Sequence, residues 1–289
     1  MRAEKMTQYP ELDGVLNGHA KRLQEVLGDF LIGVYLVGSL AIGDFDLTSD
    51  IDFVVVMSGE MSESQLEQAQ FVHDQTYGQV NRWSKHLEYS FFPLDILRHP
   101  SSPFSHSGRV HDENRELWHF NHGSPRLEKS DHDNSLVVRW TLREKGVTVA
   151  GPEPLSLLDP VSPNALRTEI RDLLIGWGHE LLNDATPYRN RFFQTFIVLH
   201  YCRMLQDLNE GRITSKREGA EWAKSNLDPK WIPLIEYCWD ERQDTGIHVS
   251  QPAVSEVFQK VLAFVEYAVG LGAKMDLDPD QSTRVRRPS

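Results

Sequence analysis

Two short motifs decide the fold: Gly38-Ser39 and, ten residues later, Asp50-Ile51-Asp52. An apolar run from Leu31 to Val37 leads into the first motif, and a second run from Phe53 to Val56 follows the other. Apolar runs of this length, bounded by Gly, Ser and Asp, are typical of buried strands. The pattern therefore predicts strands over the runs from Leu31 to Val37 and from Ile51 to Met57.

The two aspartates have the spacing of a metal site. Side chains alternate between the faces of a strand, so Asp50 and Asp52 are expected on the same face, close enough to share a divalent cation. Neighbouring carboxylates on an apolar strand repel each other and resist burial, a cost that is normally offset by ion pairing, protonation or a bound metal ion. Oxygen ligands favour magnesium. The alternative is a tight turn followed by a loop capped by Ser49 and Asp50, but it leaves Asp52 in a strand without a partner.

The first motif has the properties of a phosphate site. Gly38 allows the backbone to approach a ligand closely. The hydroxyl of Ser39 and the adjacent amides can bind phosphate oxygens where the strand gives way to a helix. The motif is therefore a candidate nucleotide-binding turn.

A third carboxylate, Glu88, lies in the alternating stretch from Leu87 to Phe92. Its position predicts a strand on which Glu88 faces the aspartate pair. The alternative is a surface glutamate on an edge strand, or one paired with Arg82 or Lys85.

Composition narrows the class of protein. The 289 residues carry 42 acidic and 30 basic side chains, a net charge of −12, which argues against a general polyanion or nucleic-acid binder. Apolar residues make up 40% and charged residues 25%, as in folded domains. The most apolar stretches are too short or too charged to span a membrane, and the N-terminus does not resemble a signal peptide. With only two cysteines, a cytoplasmic location is expected.

The organisation changes along the chain. The first half alternates helices and strands, and both Ser62–Gln65 and Ser215–Glu218 have the spacing of capping boxes. The second half shows only helical spacing, which predicts a helical bundle. We expect domains over 1–155 and 156–273 and a disordered tail over 274–289. The other segments predicted are helices over 11–26, 62–83 and 135–145, a strand over 147–150, loops over 99–111 and 122–134, and a linker over 151–163.

These motifs resemble those of the DNA-polymerase-β-like nucleotidyltransferase superfamily, whose signature is Gly-Ser, a short gap, Asp-x-Asp and a later acidic strand residue. Across most of its length the chain resembles the aminoglycoside (3'')(9) adenylyltransferase family, the streptomycin and spectinomycin resistance enzymes. The similar segments are Leu87-Glu88, Glu116-Leu117-Trp118, Val147 to Pro152, Gly211 to Ile213 and Lys216 to Ala223. The resemblance implies an α+β fold, in which a polymerase-β-like domain with a mixed sheet precedes an all-α helical bundle.

The resemblance also implies roles for individual residues. Asp50, Asp52 and Glu88 would bind magnesium, expected as two ions, and Glu88 would also act as the catalytic base. The residues that would contact ATP are Ser39, Ser49, Arg203 and Lys216, with Gly38 beside them. From the residues alone, Arg203 and Lys216 are equally well explained as solvated cations on helix faces.

The acceptor site is less closely matched. Trp118 corresponds to an aromatic residue that contacts the drug in the family, although from the sequence alone a core position is the alternative. Before the helix that holds Arg203, streptomycin-acting members carry a Trp and an Asp, whereas spectinomycin-only members lack that pair. Here the corresponding stretch runs from Leu181 to Asn190, and Asp184 and Tyr188 are its candidate substitutes.

Histidines are frequent in the two predicted loops: His99, His106, His111, His119, His122 and His132. They suggest a zinc site, but no HxxxH-type helix or paired cysteine accompanies them. We therefore interpret them as solvated loop residues.

The sequence thus predicts an adenylyltransferase that uses ATP and magnesium to modify a hydroxyl of a small acceptor, an aminoglycoside or aminocyclitol. Two alternatives stay open: a nucleotidyltransferase of the toxin-antitoxin type that modifies protein or RNA, and a nucleotide-binding module without activity. Neither a nucleic-acid partner nor a membrane is expected.

Overall fold

A computed structural model describes residues 6–47, 49–99, 116–244, 249–275 and 277. Contacts between Cα atoms divide these into two units. The first contains residues 6–45, 49–99 and 116–160, and the second contains residues 46–47 together with the described residues from 161 onward. Most of the predicted tail lies outside the described residues and stays a prediction, as do the exact domain boundaries.

The first unit is built on a six-stranded mixed sheet with the order β5-β4-β3-β2-β1-β6. Of these neighbours, β2 and β3 run parallel and the other pairs run antiparallel. The strands are β1 (Leu31–Leu36), β2 (Ile51–Met57), β3 (Leu87–Pro93), β4 (Leu117–Phe120), β5 (Leu127–Ser130) and β6 (Val147–Ala150). The expected mixed sheet is confirmed, but β5 lies in a segment that was predicted to be a loop.

Side chains on the two faces of this sheet enter separate hydrophobic clusters. Ile51, Phe53 and Val55 of β2 belong to one cluster, whereas Val54 and Val56 belong to the other. This is the alternation expected of a strand buried on both faces. Any polar residue in the even-numbered positions of β2 therefore shares a face with Val54 and Val56.

Among the described residues of this unit, the α-helices are α1 (Pro10–Leu27), α2 (Gly38–Ile42), α3 (Glu63–Tyr77), α4 (Leu94–Arg98) and α5 (Leu136–Lys145). The predicted Ser62–Gln65 capping box is present at the start of α3. This helix ends at Tyr77 rather than continuing to Trp83. The Trp83 side chain, which suggested a longer helix, is buried instead in an aromatic contact with Tyr9 and Phe45.

The predicted linker over 151–163 is not an extended exposed segment. It contains a short 3-10 turn, Pro154–Ser156, and the next two side chains, Leu157 and Leu158, are buried in the second hydrophobic cluster. The density of prolines suggested a linker, but the two leucines fix the segment to the sheet unit.

The second unit is helical, as predicted. Its α-helices are α6 (Pro163–Asn183), α7 (Arg191–Glu210), α8 (Lys216–Asn226), α9 (Ile232–Arg242) and α10 (Ser255–Gly272). The Ser215–Glu218 capping box opens α8. The most buried part is α7, whose apolar side chains recur on several faces because α6, α8, α9 and α10 all contact it. No helix of the described residues has the length and hydropathy needed to cross a membrane.

Candidate active site

The carboxylates predicted to bind a cation come together on the sheet. In the parallel register of β2 and β3, Asp52 lies opposite Glu88, and Asp50 stands one residue before β2. Asp52 shares a face with Val54, and Glu88 shares the same face with Ser90 and Phe92. The sheet thus gathers three acidic side chains at the amino ends of two neighbouring strands.

The pKa of Glu88 shows that its carboxyl group interacts with the neighbouring aspartates. Its side chain is only 14% exposed. The pKa of Glu88 is raised to about 9, mainly by burial and in addition by the charges of Asp52, Asp133 and Asp50. An ionised Glu88 therefore needs positive charge nearby, and the oxygen donors of this site suit Mg²⁺.

The Gly38-Ser39 turn lies directly against this cluster. Gly38 has a backbone φ of 55°, in the left-handed region, and a Cβ atom there would collide with the carboxylate of Asp52. The backbone N–H of Val37 donates to the carbonyl of Asp52 over 2.9 Å, which fixes the end of β1 beside β2. Both motifs of the sequence therefore belong to one site.

Two serines predicted to contact ATP lie in the turn itself or next to a carboxylate in the sequence. The Ser39 hydroxyl is buried and has no hydrogen-bond partner within the described residues. A buried polar atom without a partner is costly, so its position suits an acceptor oxygen of a ligand. Ser49 is 9% exposed and lies immediately before Asp50.

One of the histidines near the carboxylates, His119, differs from its interpretation from the sequence. His119 lies on β4 and is only 2% exposed, so its interpretation as a solvated loop residue is wrong. Its Nε2 atom is 3.7 Å from Oε1 of Glu88, and Nε2 of His132 is 3.6 Å from the same oxygen. His122 is exposed but lies 3.2 Å from Asp50. His99 is exposed and pairs with Asp95, while His106 and His111 lie outside the described residues.

Asp133 and Ser90 support His119. The hydroxyl of Ser90 donates to Oδ2 of Asp133 over 2.7 Å and lies 2.9 Å from Nδ1 of His119. Burial raises the pKa of Asp133, but the hydrogen bond from His119, the nearby His132 and the Ser90 hydroxyl outweigh it and lower the pKa overall. Sequence analysis missed this group because the three residues lie on separate segments, and only the strand pairing of Ser90 with His119 brings them together.

The two cations predicted to contact ATP lie together in the helical unit. Gly219 of α8 packs so closely on α7 that a Cβ atom there would be 2.6 Å from Cα of Arg203. Arg203 Nη2 lies 3.4 Å from the ring nitrogens of His200, and Lys216 Nζ lies 4.6 Å from the centre of the Phe196 ring. The Nε atom of Arg203 is buried without a hydrogen-bond partner in the described residues. Their contact with ATP stays a prediction.

The residues predicted to contact the acceptor are dispersed. Trp118 alternates with His119 on β4, so it projects from the face opposite Glu88, where it packs against the first cluster with Lys129 Nζ 4.6 Å from its ring. The structure therefore does not bring Trp118 together with the carboxylates.

In the helical unit, the exposed Asp184 accepts a hydrogen bond from the backbone of Thr186. The hydroxyl of Tyr188 donates to Glu180 over 2.5 Å, and its ring meets Trp177 edge to face. Acceptor binding by Asp184, Tyr188 or Trp118 stays a prediction.

Both halves of this chain are similar in sequence to known protein domains. A family model described as a nucleotidyltransferase domain matches residues 16–96, and one described as the aminoglycoside adenylyltransferase C-terminal domain matches residues 156–270. Spectinomycin 9-adenylyltransferase of Staphylococcus aureus is 24% identical over 223 residues, which are 75% of this chain and 79% of the relative. An aminoglycoside (3'') (9) adenylyltransferase of Shigella flexneri is 25% identical over 239 residues, 81% of this chain and 83% of the relative.

The fold is also that of a solved enzyme. A crystal structure of the spectinomycin adenyltransferase AAD(9) from an Enterococcus, with ATP and spectinomycin, matches with a TM-score of 0.61 and 17% identity. The match covers 91% of this chain and 99% of the other. With the two domain models matched in this order and the carboxylates gathered on the sheet, the chain is similar over most of its length to the aminoglycoside (3'')(9) adenylyltransferases.

Proposed function

We propose that this protein is an adenylyltransferase that moves AMP from ATP to a hydroxyl of a small acceptor, an aminoglycoside or aminocyclitol such as spectinomycin or streptomycin, and releases pyrophosphate. The observation that carries this proposal is the pairing of Asp52 with Glu88 beside Asp50 and the Gly38 turn. The named relatives act on spectinomycin and aminoglycosides, which supports this class of acceptor.

Asp50, Asp52 and Glu88 would hold Mg²⁺, expected as two ions. When bound, Mg²⁺ supplies positive charge that binds the phosphate oxygens and stabilises the charge developing in the transition state. The raised pKa of Glu88 supports this proposal, since three acidic groups in a partly buried cluster need a cation to ionise together.

The transfer itself forms one bond and breaks another. The acceptor oxygen bonds to the α-phosphorus, the bond from that phosphorus to the bridging oxygen of the β-phosphate breaks, and pyrophosphate leaves with the electron pair. We assign the removal of the acceptor proton to the carboxylate of Glu88. His119 and His132, 3.7 and 3.6 Å from its Oε1, would hold that carboxylate in place.

The remaining residues would bind the nucleotide. The absence of a side chain at Gly38 lets the turn lie directly against the Asp52 carboxylate, and the buried hydroxyl of Ser39 has hydrogen-bonding capacity to offer a phosphate. Ser49 would add a second hydroxyl next to Asp50. Arg203 and Lys216, as cations, would neutralise part of the triphosphate charge.

We further propose that the protein works in the cytoplasm. ATP is its cosubstrate, and Cys202 and Cys238 are buried thiols that are not joined in a disulfide.

One assay tests the function. The protein is incubated with labelled ATP and Mg²⁺ in the presence of streptomycin, spectinomycin or no acceptor, and pyrophosphate and labelled products are measured. We expect pyrophosphate release together with an adenylylated drug. Labelled protein or RNA instead would favour the toxin-antitoxin alternative, and ATP binding without any product would favour an inactive nucleotide-binding module.

A further inference from the structure

Two imidazoles stand beside Asp50, and the proposed transfer uses neither of them. Nε2 of His122 lies 3.2 Å from Oδ1 of Asp50 and 3.0 Å from Nδ1 of His86. One ligand atom from each of the three residues lies within 4.8 Å of the others. Asp50, His86 and His122 thus form a compact group, which we call the imidazole cluster.

The sheet builds this cluster from three adjacent strands. Asp50 precedes β2, His86 precedes β3, and His122 follows β4, which runs antiparallel to β3. All three residues therefore lie at the same end of the sheet. The N–H of Ile51 donates to the carbonyl of His86 over 2.8 Å, so the backbones that carry Asp50 and His86 are fixed to each other.

The distances between the nitrogen and oxygen atoms of the imidazole cluster suit a tetrahedral metal site. Metal–ligand bonds of about 2.0–2.1 Å in a tetrahedral site place neighbouring donors about 3.3 Å apart. The contacts of 3.0 and 3.2 Å are close to this value. The His122 and Asp50 side chains are 38% and 42% exposed, so an ion can enter from solvent and keep water as a further ligand.

The donor set distinguishes this cluster from the magnesium site. Mg²⁺ prefers oxygen ligands, whereas two imidazole nitrogens and one carboxylate favour Zn²⁺ and related first-row transition-metal ions. We propose that Asp50, His86 and His122 bind such a divalent transition-metal ion, with Zn²⁺ as the best match. Because Asp50 is shared, this ion competes with Mg²⁺. The competition with Mg²⁺ rests on the proposed function, whereas the binding of the transition-metal ion to the imidazole cluster does not.

Binding is tested with Co²⁺, whose visible absorption becomes stronger in a four- or five-coordinate protein site than in water, on the full chain without affinity tag, ATP or Mg²⁺. We expect a saturable band at about one ion per chain that Zn²⁺ removes. His86→Gln and His122→Gln should each weaken Co²⁺ binding at least about tenfold, because each removes one donor. His99→Gln and His132→Gln are matched controls and should bind as the unmodified protein does; circular dichroism checks that all variants are folded.

The results test metal binding by the imidazole cluster separately from its competition with Mg²⁺. The absence of a band in the unmodified protein, or equal affinity in His86→Gln and His122→Gln, would overturn the site. If the site is present, Zn²⁺ should inhibit transfer less as Mg²⁺ is raised, and inhibition that does not respond to Mg²⁺ would overturn the competition. An enzyme with no transfer activity would contradict the proposed function, while the Co²⁺ titration would still decide the site.

Discussion

Asp52 and Glu88 occupy directly paired positions on the parallel strands β2 and β3. Adjacent strands lie about 4.8 Å apart, so the two carboxyl groups project side by side from one face of the sheet. Burial, and after it the charges of Asp52, Asp133 and Asp50, raise the pKa of Glu88 to about 9. The protein maintains this repulsion at the amino ends of two central strands, where apolar residues would be more stable.

Replacing the carboxylates should separate their roles. Glu88→Gln is expected to lower kcat about a hundredfold to ten-thousandfold, the usual contribution of a positioned base. Asp50→Asn should lower kcat further than Glu88→Gln does, because it removes a cation ligand. The loss of the cation removes both charge stabilisation and assembly of the site. The measurement is pyrophosphate release with drug present, and Asp95→Asn, an exposed carboxylate on α4, is the matched control. Near-normal rates in both active-site variants would refute the site.

Gly38→Ala tests the close approach of the turn to the carboxylates. Its φ of 55° and the collision of a Cβ atom with Asp52 predict a loss of about 1–3 kcal/mol of folding free energy and weaker ATP binding. Gly14→Ala is the control, since a Cβ atom in that exposed position of α1 meets nothing within 4 Å. It should stabilise the protein by about 0.5–1 kcal/mol. Denaturant unfolding and calorimetric titration with ATP measure both effects, and equal behaviour of the two variants would contradict the argument.

Arg203→Ala and Lys216→Ala should each raise the dissociation constant of ATP about tenfold, the effect of losing one charge-assisted contact to phosphate. Lys224→Ala is the control, because that lysine pairs with Glu221 on the exposed part of α8. Isothermal titration with ATP and Mg²⁺ gives the constants. If they are unchanged, both residues are ordinary cations of the helical unit.

The carboxylate cluster also predicts a pH-dependent stability. The folded-state pKa of Glu88 is about 9, above the ordinary value of 4.5, so the folded protein keeps a proton that the unfolded chain loses between these pH values. The contribution of Glu88 to stability is therefore present below pH 4.5 and is lost as pH rises toward 9. Glu88→Gln cannot ionise, so its unfolding free energy relative to the unmodified protein should rise by at least about 1 kcal/mol between pH 5 and 8.

Denaturant unfolding in the presence of EDTA measures this difference. Added Mg²⁺ should stabilise the unmodified protein more than the Glu88→Gln variant, because the carboxylate is one of its ligands. A difference between the two proteins that does not change with pH would show that Glu88 ionises normally in the folded state.

Local patterns predicted much of the fold. The capping boxes at Ser62 and Ser215 marked the starts of α3 and α8, and β2 was predicted with its observed bounds, because these features depend on neighbouring residues. The strand β5 was missed because its sequence, Leu127-Glu128-Lys129-Ser130, is polar and is stabilised as a strand by pairing with β4.

The candidate active site was predicted only in part, because local sequence patterns do not show which strands pair. Spacing alone placed Asp50 and Asp52 together, and alternation indicated the face of Glu88. His119 and Asp133 were not found, since the approach of His119 to Glu88 depends on the register of β3 with β4, and its approach to Asp133 depends on the segment after β5. No local period of the sequence encodes such a relationship.

The parallel pairing of β2 with β3 also sets the stage of folding at which ATP can first bind. Antiparallel neighbours such as β4 and β5 can form as local hairpins, whereas β2 and β3 pair only after the chain from Met57 to Leu87, with α3, has crossed over the sheet. Closing that longer loop costs more chain entropy and is slower. The carboxylates therefore meet only when this crossover is complete, and a newly synthesised chain cannot have its nucleotide site before that step.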